Sequence, residues 1–387
     1  MKRIKLMNKI ASVGTDKLDR SVYEIGEDFE NPDAIMVRSA ALHDMPINPE
    51  LLAIARCGAG VNNIPLDKCA ENGVVVFNTP GANANGVKEL TMAALLLASR
   101  DIVGGIDWVK SLEGTEGIEK AVEKGKSAYA GHEVAGKLLG VIGLGAIGGM
   151  VANTAHSLGM KVIGCDPYIT VNAAWSLSRA IEKAADYNEI YKRADYISLH
   201  VPATPSTKNM INKDTIAMMK DGVIIVNLSR ADLVNAEDMK AALASGKVAK
   251  YVTDFPTAAT IGVKGVINIP HLGASTEESE DNCAVMAATE LDEYLTTGNI
   301  RNSVNFPALS IPHTGAARIC LIHKNIPNML SQVTNAIANE SINIENMVNG
   351  SRGDYAYTLV ETITPVSDAA AEHLAAIEGV IRVRVIK

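Results

Sequence analysis

Short apolar runs recur along the first two thirds of the chain, and each stops at a glycine or a polar side chain. Runs of this kind, separated by stretches of helical spacing, are typical of buried parallel strands. The pattern predicts strands at 34–37, 51–55, 74–77, 138–142, 161–165, 196–201, 223–228, 250–253 and 266–269. Helical spacing is found at 87–99, 107–126 and 276–295. This alternation predicts an α/β fold with parallel sheets.

The last 70 residues or so follow a different order. A proline-bearing linker at 305–312 precedes them, and the apolar pattern then predicts strand, helix, strand, strand, helix, strand. The expected elements are 319–323, 329–339, 344–348, 355–362, 368–377 and 380–386. A βαββαβ order of this length is typical of a ferredoxin-like sandwich.

Three glycines at G-x-G-x-x-G spacing, Gly143, Gly145 and Gly148, follow directly on the strand predicted at 138–142. A helical pattern comes next, and then a second apolar run that ends on Asp166. This order of strand, glycine turn, helix, strand and acid is that of a dinucleotide-binding Rossmann unit. Phosphates would lie on the free N–H groups at the helix N-terminus. Asp166 can accept the ribose hydroxyls and would repel a 2′-phosphate, which favours NAD over NADP.

Bulk composition narrows the class of protein. The 387 residues carry a formal net charge of −8, which argues against nonspecific nucleic-acid binding. The start of the chain has no signal-peptide core, and no apolar run approaches the length of a membrane span. Five cysteines without C-x-x-C spacing predict reduced, mostly buried thiols and no metal site. We expect a cytoplasmic enzyme of two or three domains.

Three chemically useful side chains follow predicted strands of the nucleotide unit, namely Arg230, Asp254 and His271. Oxidation of a secondary alcohol by hydride transfer needs a base for the hydroxyl proton, a cation for a neighbouring carboxylate and a positioned nicotinamide. Histidine titrates near neutrality, and arginine binds a carboxylate bidentately. Seven other histidines compete with His271, so the residues alone leave its role open.

Several sequence motifs resemble those of known protein families. The chain is similar to the D-isomer-specific 2-hydroxy acid dehydrogenases in segments spread over most of its first 310 residues. The tail resembles an ACT regulatory domain at 322–327 and 342–344. The matching segments of the main part are 37–39, 56–64, 78–81, 141–148, 199–202, 227–230 and 270–276.

The resemblance implies a discontinuous, flavodoxin-like substrate domain at 1–88 plus 283–310, a Rossmann NAD-binding domain at 89–282 and an ACT-like domain at 316–387. It implies oxidation of a D-2-hydroxy acid, 3-phospho-D-glycerate, at C2 with NAD. It also implies a homo-oligomer, dimer or tetramer, and possible feedback by L-serine.

The resemblance assigns roles to particular residues. His271 would be the acid/base, Arg230 would hold the substrate carboxylate, and Asp254 would help to place the nicotinamide. Cofactor contacts would come from Gly143, Gly145, Ala146, Ile147, Gly148, Asp166, His200, Val201, Pro202, Thr207, Ser229, Asp254 and Gly273. Substrate contacts would come from Arg38, Ser39, Arg56, Ala59, Gly60 and Arg230, and serine would be bound by His323, Asn325 and Asn343.

Three positions depart from the family pattern. The family pairs its histidine with a glutamate about five residues after the aspartate, and this chain has Ala259 there. A carboxylate partner stabilises the protonated ring, so its loss predicts that the base limb of activity lies at lower pH, unless Glu277 or Glu278 substitutes. Asn62 stands where an aspartate is common. Asn328 stands where glycine is usual, and asparagine tolerates the left-handed conformation.

Two other functions stay open at this point. The chain could oxidise or reduce another D-2-hydroxy acid, such as glycerate or lactate, which would need no phosphate-binding arginines. It could also be an NAD-sensing interaction protein without turnover, a reading to which the missing glutamate lends weight. For the tail, the alternative to serine binding is a domain that only dimerises.

Overall fold

The computed structural model describes all 387 residues, and their contacts divide them into two compact units, 1–83 with 277–387 and 84–276. The three-domain division expected from the sequence stays a prediction. No helix is long and apolar enough to cross a membrane. All five cysteines are free and buried, which confirms the thiol prediction.

The first unit begins with a five-stranded parallel sheet. Its strand order, β2-β1-β3-β4-β5, is that of a flavodoxin-like fold. The strands are β1 (Lys2–Met7), β2 (Tyr23–Gly26), β3 (Ala34–Val37), β4 (Ala53–Arg56) and β5 (Val75–Phe77), and short helices α1 (Ser12–Thr15) and α2 (Leu66–Glu71) connect them.

The second unit is a seven-stranded parallel sheet of order β12-β11-β10-β9-β6-β7-β8, which is the Rossmann order with one added strand. Its strands are β6 (Leu138–Ile142), β7 (Lys161–Cys165), β8 (Glu182–Lys183), β9 (Tyr196–Leu199), β10 (Val223–Asn227), β11 (Val248–Thr253) and β12 (Val266–Asn268). Its helices are α3 (Ala84–Ser99), α4 (Ile102–Ser111), α5 (Ile118–Gly125), α6 (Ala146–Ser157), α7 (Val171–Trp175), α8 (Tyr187–Arg193), α9 (Lys213–Met218) and α10 (Ala236–Ser245). One apolar cluster lies on each face of this sheet.

The helical stretch expected at 107–126 is interrupted. The structure has two helices there, α4 and α5, with Gly114 and Gly117 between them at φ of 77° and 68°. Such φ values suit glycine and interrupt a right-handed helix.

The chain returns to the first unit through the long helix α11 (Glu277–Thr297), close to the expected 276–295. The tail has the predicted βαββαβ order, and its antiparallel sheet is ordered β14-β15-β13-β16. The elements are β13 (Ala317–Lys324), α12 (Met329–Asn339), β14 (Ile344–Arg352), β15 (Tyr355–Thr362), α13 (Asp368–Ala375) and β16 (Val380–Ile386). Asn328, before α12, has a φ of 65°, so it adopts the left-handed conformation as expected.

The segment 305–312 is not a loose linker. Asn305 is buried, and its side-chain amide accepts from the Val76 N–H at 2.9 Å and donates to the Val74 carbonyl at 2.8 Å. Phe306 is fully buried in a cluster that joins the parallel sheet, α11 and the tail. This segment therefore fixes the tail to the first unit.

Candidate active site

The glycine corner between β6 and α6 has the geometry that a dinucleotide site needs. Gly143 has a φ of 89°, and a Cβ there would lie 2.4 Å from the His200 carbonyl oxygen. A Cβ on Gly148 would lie 1.9 Å from the Gly143 carbonyl oxygen, so helix and strand pack too closely for any side chain. A Cβ on Gly145 would meet nothing within 4 Å, which leaves room beside its backbone. The first N–H groups of α6, from Ala146, Ile147 and Gly148, have no carbonyl partner within the helix.

Asp166 follows β7 directly and lies beside the glycine corner. Its Oδ2 accepts from the Leu144 N–H at 2.8 Å, and its Oδ1 accepts from the Tyr168 N–H at 2.9 Å. A carboxylate oxygen accepts more than one hydrogen bond, so both oxygens keep capacity for ribose hydroxyls. The room beside Gly145 and the position of this carboxylate fit NAD.

The loop after β9 carries His200, Val201 and Pro202, and Thr207 closes it by donating to the Pro202 carbonyl at 2.6 Å. His200 Nε2 is 2.8 Å from the Ser198 hydroxyl, and burial of the ring lowers the pKa of His200 to about 4. The imidazole is therefore neutral at physiological pH. Ser229, after β10, donates to the Leu199 carbonyl at 2.6 Å and ties the two strand ends together.

The three predicted catalytic residues follow the strands β10, β11 and β12 at one edge of the sheet. Arg230 and His271 are exposed, whereas Asp254 is 1% exposed. The backbone N–H of Gly273 donates to the Asp254 carboxylate, but Oδ1 has no hydrogen-bond partner. Burial raises the pKa of Asp254, and the nearby His271 and Arg230 charges oppose that rise. A donor such as an amide N–H of a bound cofactor would satisfy Oδ1.

Phe255 is a site residue that the sequence analysis missed. Its ring centroid lies 4.6 Å from that of His271, and the Arg230 guanidinium carbon lies 5.9 Å from the same phenyl ring. The aromatic ring therefore contacts both the predicted base and the predicted carboxylate ligand. Its place immediately after the Asp254 strand end was the signal available in the sequence.

The position where the family carries the glutamate is Ala259 in this chain. The segment that would carry it folds into a turn in which the Thr257 N–H donates to Thr260 Oγ1 at 2.9 Å. Within that unit the His271 imidazole makes no ion pair with a carboxylate. The expected shift of the base limb to lower pH stays a prediction.

The two predicted substrate arginines cluster in the first unit. Arg38 follows β3, and Arg56 is the last residue of β4. Burial raises the pKa values of the Cys57 and Cys283 thiols. Both arginines lie close enough to these thiols for their positive charges to oppose that rise. Arg38 also forms an ion pair of 2.5 Å with Glu280 on α11.

Backbone geometry fixes the rest of the predicted substrate loop. A Cβ on Gly58 would lie 1.4 Å from Arg56 Nη1, so the guanidinium lies directly over that glycine. The Ser39 N–H donates to Asn8 Oδ1 at 3.0 Å. Asn78 donates to the Ala59 carbonyl at 2.7 Å and so fixes the loop that continues to Gly60.

The predicted serine ligands differ in accessibility. Asn325 and Asn343 are exposed, but His323 is only 2% exposed. Its Nε2 lies 2.8 Å from the Thr358 hydroxyl and its Nδ1 lies 2.9 Å from the Lys324 carbonyl oxygen. His323 therefore belongs to the interior of the tail, which the sequence did not indicate.

Comparison with known proteins agrees with this geometry. Residues 92–273 match the model of the D-isomer specific 2-hydroxyacid dehydrogenase NAD binding domain. The chain belongs to the D-isomer-specific 2-hydroxyacid dehydrogenases and carries their NAD-binding domain.

Within that class, relatives with 32–34% identity include several named D-3-phosphoglycerate dehydrogenase. The protein of that name from Methanocaldococcus jannaschii is 34% identical over 326 residues, which cover 82% of this chain and 60% of the relative. The one from Haemophilus influenzae is 32% identical over 350 residues, covering 87% of this chain and 82% of the relative. The NAD+-bound 3-phosphoglycerate dehydrogenase of Entamoeba histolytica superposes with a TM-score of 0.60 at 25% identity, over 79% of this chain and 98% of that one.

Proposed function

We propose that this chain oxidises 3-phospho-D-glycerate at C2 to 3-phosphohydroxypyruvate with NAD+, the first step of L-serine biosynthesis. The choice of substrate rests on Arg38 and Arg56, which both lie close to the Cys57 and Cys283 thiols in the first unit. A phosphate needs cations in addition to the one that binds the carboxylate. The relatives named D-3-phosphoglycerate dehydrogenase support the same substrate.

Each catalytic side chain has a distinct task in this reaction. NAD+ supplies the hydride acceptor when it is bound. Arg230 binds the substrate carboxylate bidentately and so fixes which face of C2 is presented. His271 accepts the C2 hydroxyl proton through a ring nitrogen and returns it in the reverse direction. Phe255 packs on the imidazole and limits its orientations. The buried Asp254, whose Oδ1 has no hydrogen-bond partner, would help to hold the nicotinamide end of the cofactor.

The test is an initial-rate assay that follows NADH absorbance with phosphoglycerate, glycerate and lactate, each with a reagent that traps the ketone. We expect phosphoglycerate to be the best substrate, and His271→Asn to lower kcat by roughly 10²–10⁴-fold. Replacing Arg38 or Arg56 by Ala should raise KM for phosphoglycerate more than for lactate.

Two results would point elsewhere. If lactate or glycerate were turned over best, and at a rate that replacing Arg38 or Arg56 by Ala did not change, the substrate would be a different D-2-hydroxy acid. NAD binding by calorimetry without turnover of any of the three acids would favour the NAD-sensing protein.

The active form is proposed to be a cytoplasmic homo-oligomer. Helix α4 has no buried residue, and Ile102, Ile106 and Val109, on one face of it, are 43%, 50% and 47% exposed. A contiguous apolar face of this kind favours a second copy of the chain as its partner. Five free buried thiols support a reducing compartment. Light scattering should show a smaller particle for Ile106→Asp and no change for Ser111→Asp, on the opposite face of the same helix.

The tail is proposed to be an ACT-like domain that binds L-serine through Asn325 and Asn343. Its βαββαβ order and the exposure of both amides support this assignment. His323, being buried, acts only by supporting the loop that carries Asn325. Calorimetry with L-serine should show binding that Asn343→Ala weakens, with L-alanine as the control ligand. No heat and an unchanged rate would leave a tail that only dimerises.

A further inference from the structure

Glu290 is a buried carboxyl group on α11 to which neither the proposed reaction nor the packing assigns a role. The residue is 5% exposed. Its Oε1 accepts from Asn302 Nδ2 at 2.5 Å, whereas its Oε2 has no hydrogen-bond partner. Burying an incompletely paired carboxyl group costs free energy, so stability alone does not explain a glutamate here.

A continuous set of hydrogen bonds leads from Glu290 to the predicted substrate loop. Asn302 has a φ of 49°, and its carbonyl accepts from the Asn78 N–H at 3.4 Å. The Asn78 side chain donates to the Ala59 carbonyl at 2.7 Å. Next to it, the Thr79 N–H donates to the Gly58 carbonyl at 3.1 Å. Every link lies in the 1–83 and 277–387 unit.

We infer that Glu290 is a positioning residue for the 58–60 loop and acts on it through Asn302 and Asn78. Asparagine tolerates the left-handed conformation, but it also populates right-handed and extended backbone conformations unless a contact holds it in one of them. The hydrogen bond from the Asn302 side chain to Glu290 keeps residue 302 in the left-handed conformation. This conformation positions the Asn302 carbonyl to accept from the Asn78 N–H. The inference rests on the proposed function in one respect only, that Ala59 and Gly60 contact the substrate.

The strength of this hold depends on the protonation of Glu290. Burial raises the pKa of Glu290 to about 7, and the bond from Asn302 opposes that rise. The titratable or charged groups that face Glu290 are Glu293 on the same helix, Arg301 across the pocket that all three line, and the Cys57 thiol at the end of β4. Arg301 pairs with Glu293 at 3.0 Å. An ionised carboxylate accepts a stronger hydrogen bond than a neutral acid, so the loop is held more firmly above neutral pH.

The first test compares Michaelis constants of three variants of the full-length protein. Glu290→Ala and Asn302→Gly each remove the bond, and glycine keeps the left-handed backbone of residue 302 accessible. Both should raise KM for the 2-hydroxy acid roughly five-fold, which corresponds to about 1 kcal/mol, with KM for NAD unchanged. Glu293→Gln, one turn along α11, is the matched control and should leave both constants unchanged at about pH 8.5, where Glu290 is ionised with or without the Glu293 charge.

The second test uses the pH profile. Glu290→Gln keeps an acceptor oxygen but stays neutral. Its kcat/KM should therefore equal that of the wild type at about pH 6 and be lower than that of the wild type at about pH 8.5. Because the two proteins differ only at residue 290, the contributions of the other groups cancel in the ratio of the two profiles. A ratio that does not change across this range would overturn the role of the carboxylate.

A third measurement is independent of turnover and so separates this inference from the proposed substrate. Amide hydrogen exchange of the free protein should accelerate in 57–61 and 78–81 in Glu290→Ala, but not in Glu293→Gln. Faster exchange without any 2-hydroxy acid being turned over would keep the positioning role and reject the proposed function. Unchanged exchange in those segments, with a normal KM, would reject the positioning role whichever acid is the substrate.

Discussion

At the scale of single residues, burial sets the charge of the groups around the proposed nicotinamide position. His200 is kept neutral because its ring is desolvated, and its pKa falls to about 4. The same cause raises the pKa of Asp254. The exposed groups near this edge are those proposed to meet substrate, Arg230 and His271. Burial thus separates cofactor-positioning groups from reacting ones.

The ion pair between Arg38 and Glu280 leads to a prediction about affinity. Both side chains are about 40% exposed, at 42% and 40%, so the pair is a weak one. An incoming phosphate must compete with Glu280 for the guanidinium. Glu280→Gln should therefore lower KM for phosphoglycerate by roughly two- to five-fold, the range expected for an exposed pair.

The neighbouring substitution Asp281→Asn removes the same charge from α11 without touching Arg38, so it serves as the control. Equal effects of the two substitutions would show a general change of charge and would contradict competition at Arg38.

Glu290 also predicts a dependence of stability on pH. Its pKa is raised from 4.5 to about 7 in the folded protein, so folding favours the protonated form. The free energy of unfolding should therefore fall as pH rises from about 4.5 to about 7 and stay lower above that range. Between pH 5 and pH 8, the free energy of unfolding of Glu290→Gln should rise by on the order of 1–3 kcal/mol relative to that of the wild type. Urea unfolding at both pH values measures this, and a constant difference between the two proteins would contradict it.

At the scale of elements, the β6–α6 corner places different demands on its three glycines. Gly143 needs its positive φ, and Gly148 needs the absence of a Cβ against the Gly143 carbonyl. Gly145 has a φ of −70°, which any residue adopts, and open space beside it. Gly143 and Gly148 are therefore required for the backbone fold of the corner, whereas Gly145 leaves space for a bound ligand.

This difference predicts opposite results for two alanine substitutions. Gly145→Ala should leave the melting temperature unchanged and weaken NAD binding at least ten-fold, because the methyl group occupies the space that the pyrophosphate needs. Gly148→Ala should lower the free energy of unfolding by about 1–3 kcal/mol, the range for overpacking. Thermal unfolding and calorimetric titration with NAD distinguish the two. A stable Gly145→Ala protein with normal NAD affinity would rule out phosphate binding at this glycine.

At the scale of the whole molecule, the tail is an integral part of the first unit. Arg318 and Glu361 are both fully buried and form an ion pair between β13 and β15. Arg318 also donates to the Thr297 carbonyl at 2.5 Å and to the Ile311 carbonyl at 2.9 Å. His313 completes the network 2.9 Å from Glu361. The end of α11, the 305–312 segment and the tail are thus joined through one guanidinium group.

Breaking this pair should be costly. Glu361→Gln leaves the Arg318 charge buried without its counter-ion, and we expect a loss of about 3–5 kcal/mol in the free energy of unfolding. The double variant Arg318→Met with Glu361→Met removes both charges and should lose less than the single one. Denaturant titration of both proteins is the measurement. A larger loss in the double variant would mean that packing, and not the unpaired charge, dominates.

The sequence predicted some elements well and others poorly, for physical reasons. The strands β6 and β7 begin and end where the apolar pattern places them, because both are buried over most of their length. Strand β1 was missed because its lysine and arginine residues alternate with apolar ones in a stretch that is only partly buried. The 305–312 segment was predicted to be a linker because nothing local shows that Asn305 accepts a hydrogen bond from the backbone of β5.

The sequence by itself determined most strands of the two parallel sheets, the βαββαβ order of the tail, the glycine corner and its fit to NAD, and the side chains that end the strands. These follow from periodicity, from conformations that only glycine adopts and from charge, which are local properties. Only the tertiary structure decided that Phe255 packs on His271, that Glu280 pairs with Arg38 and that Glu290 is hydrogen-bonded to Asn302. Each of these contacts joins side chains from separate elements, and no local pattern encodes which elements will meet.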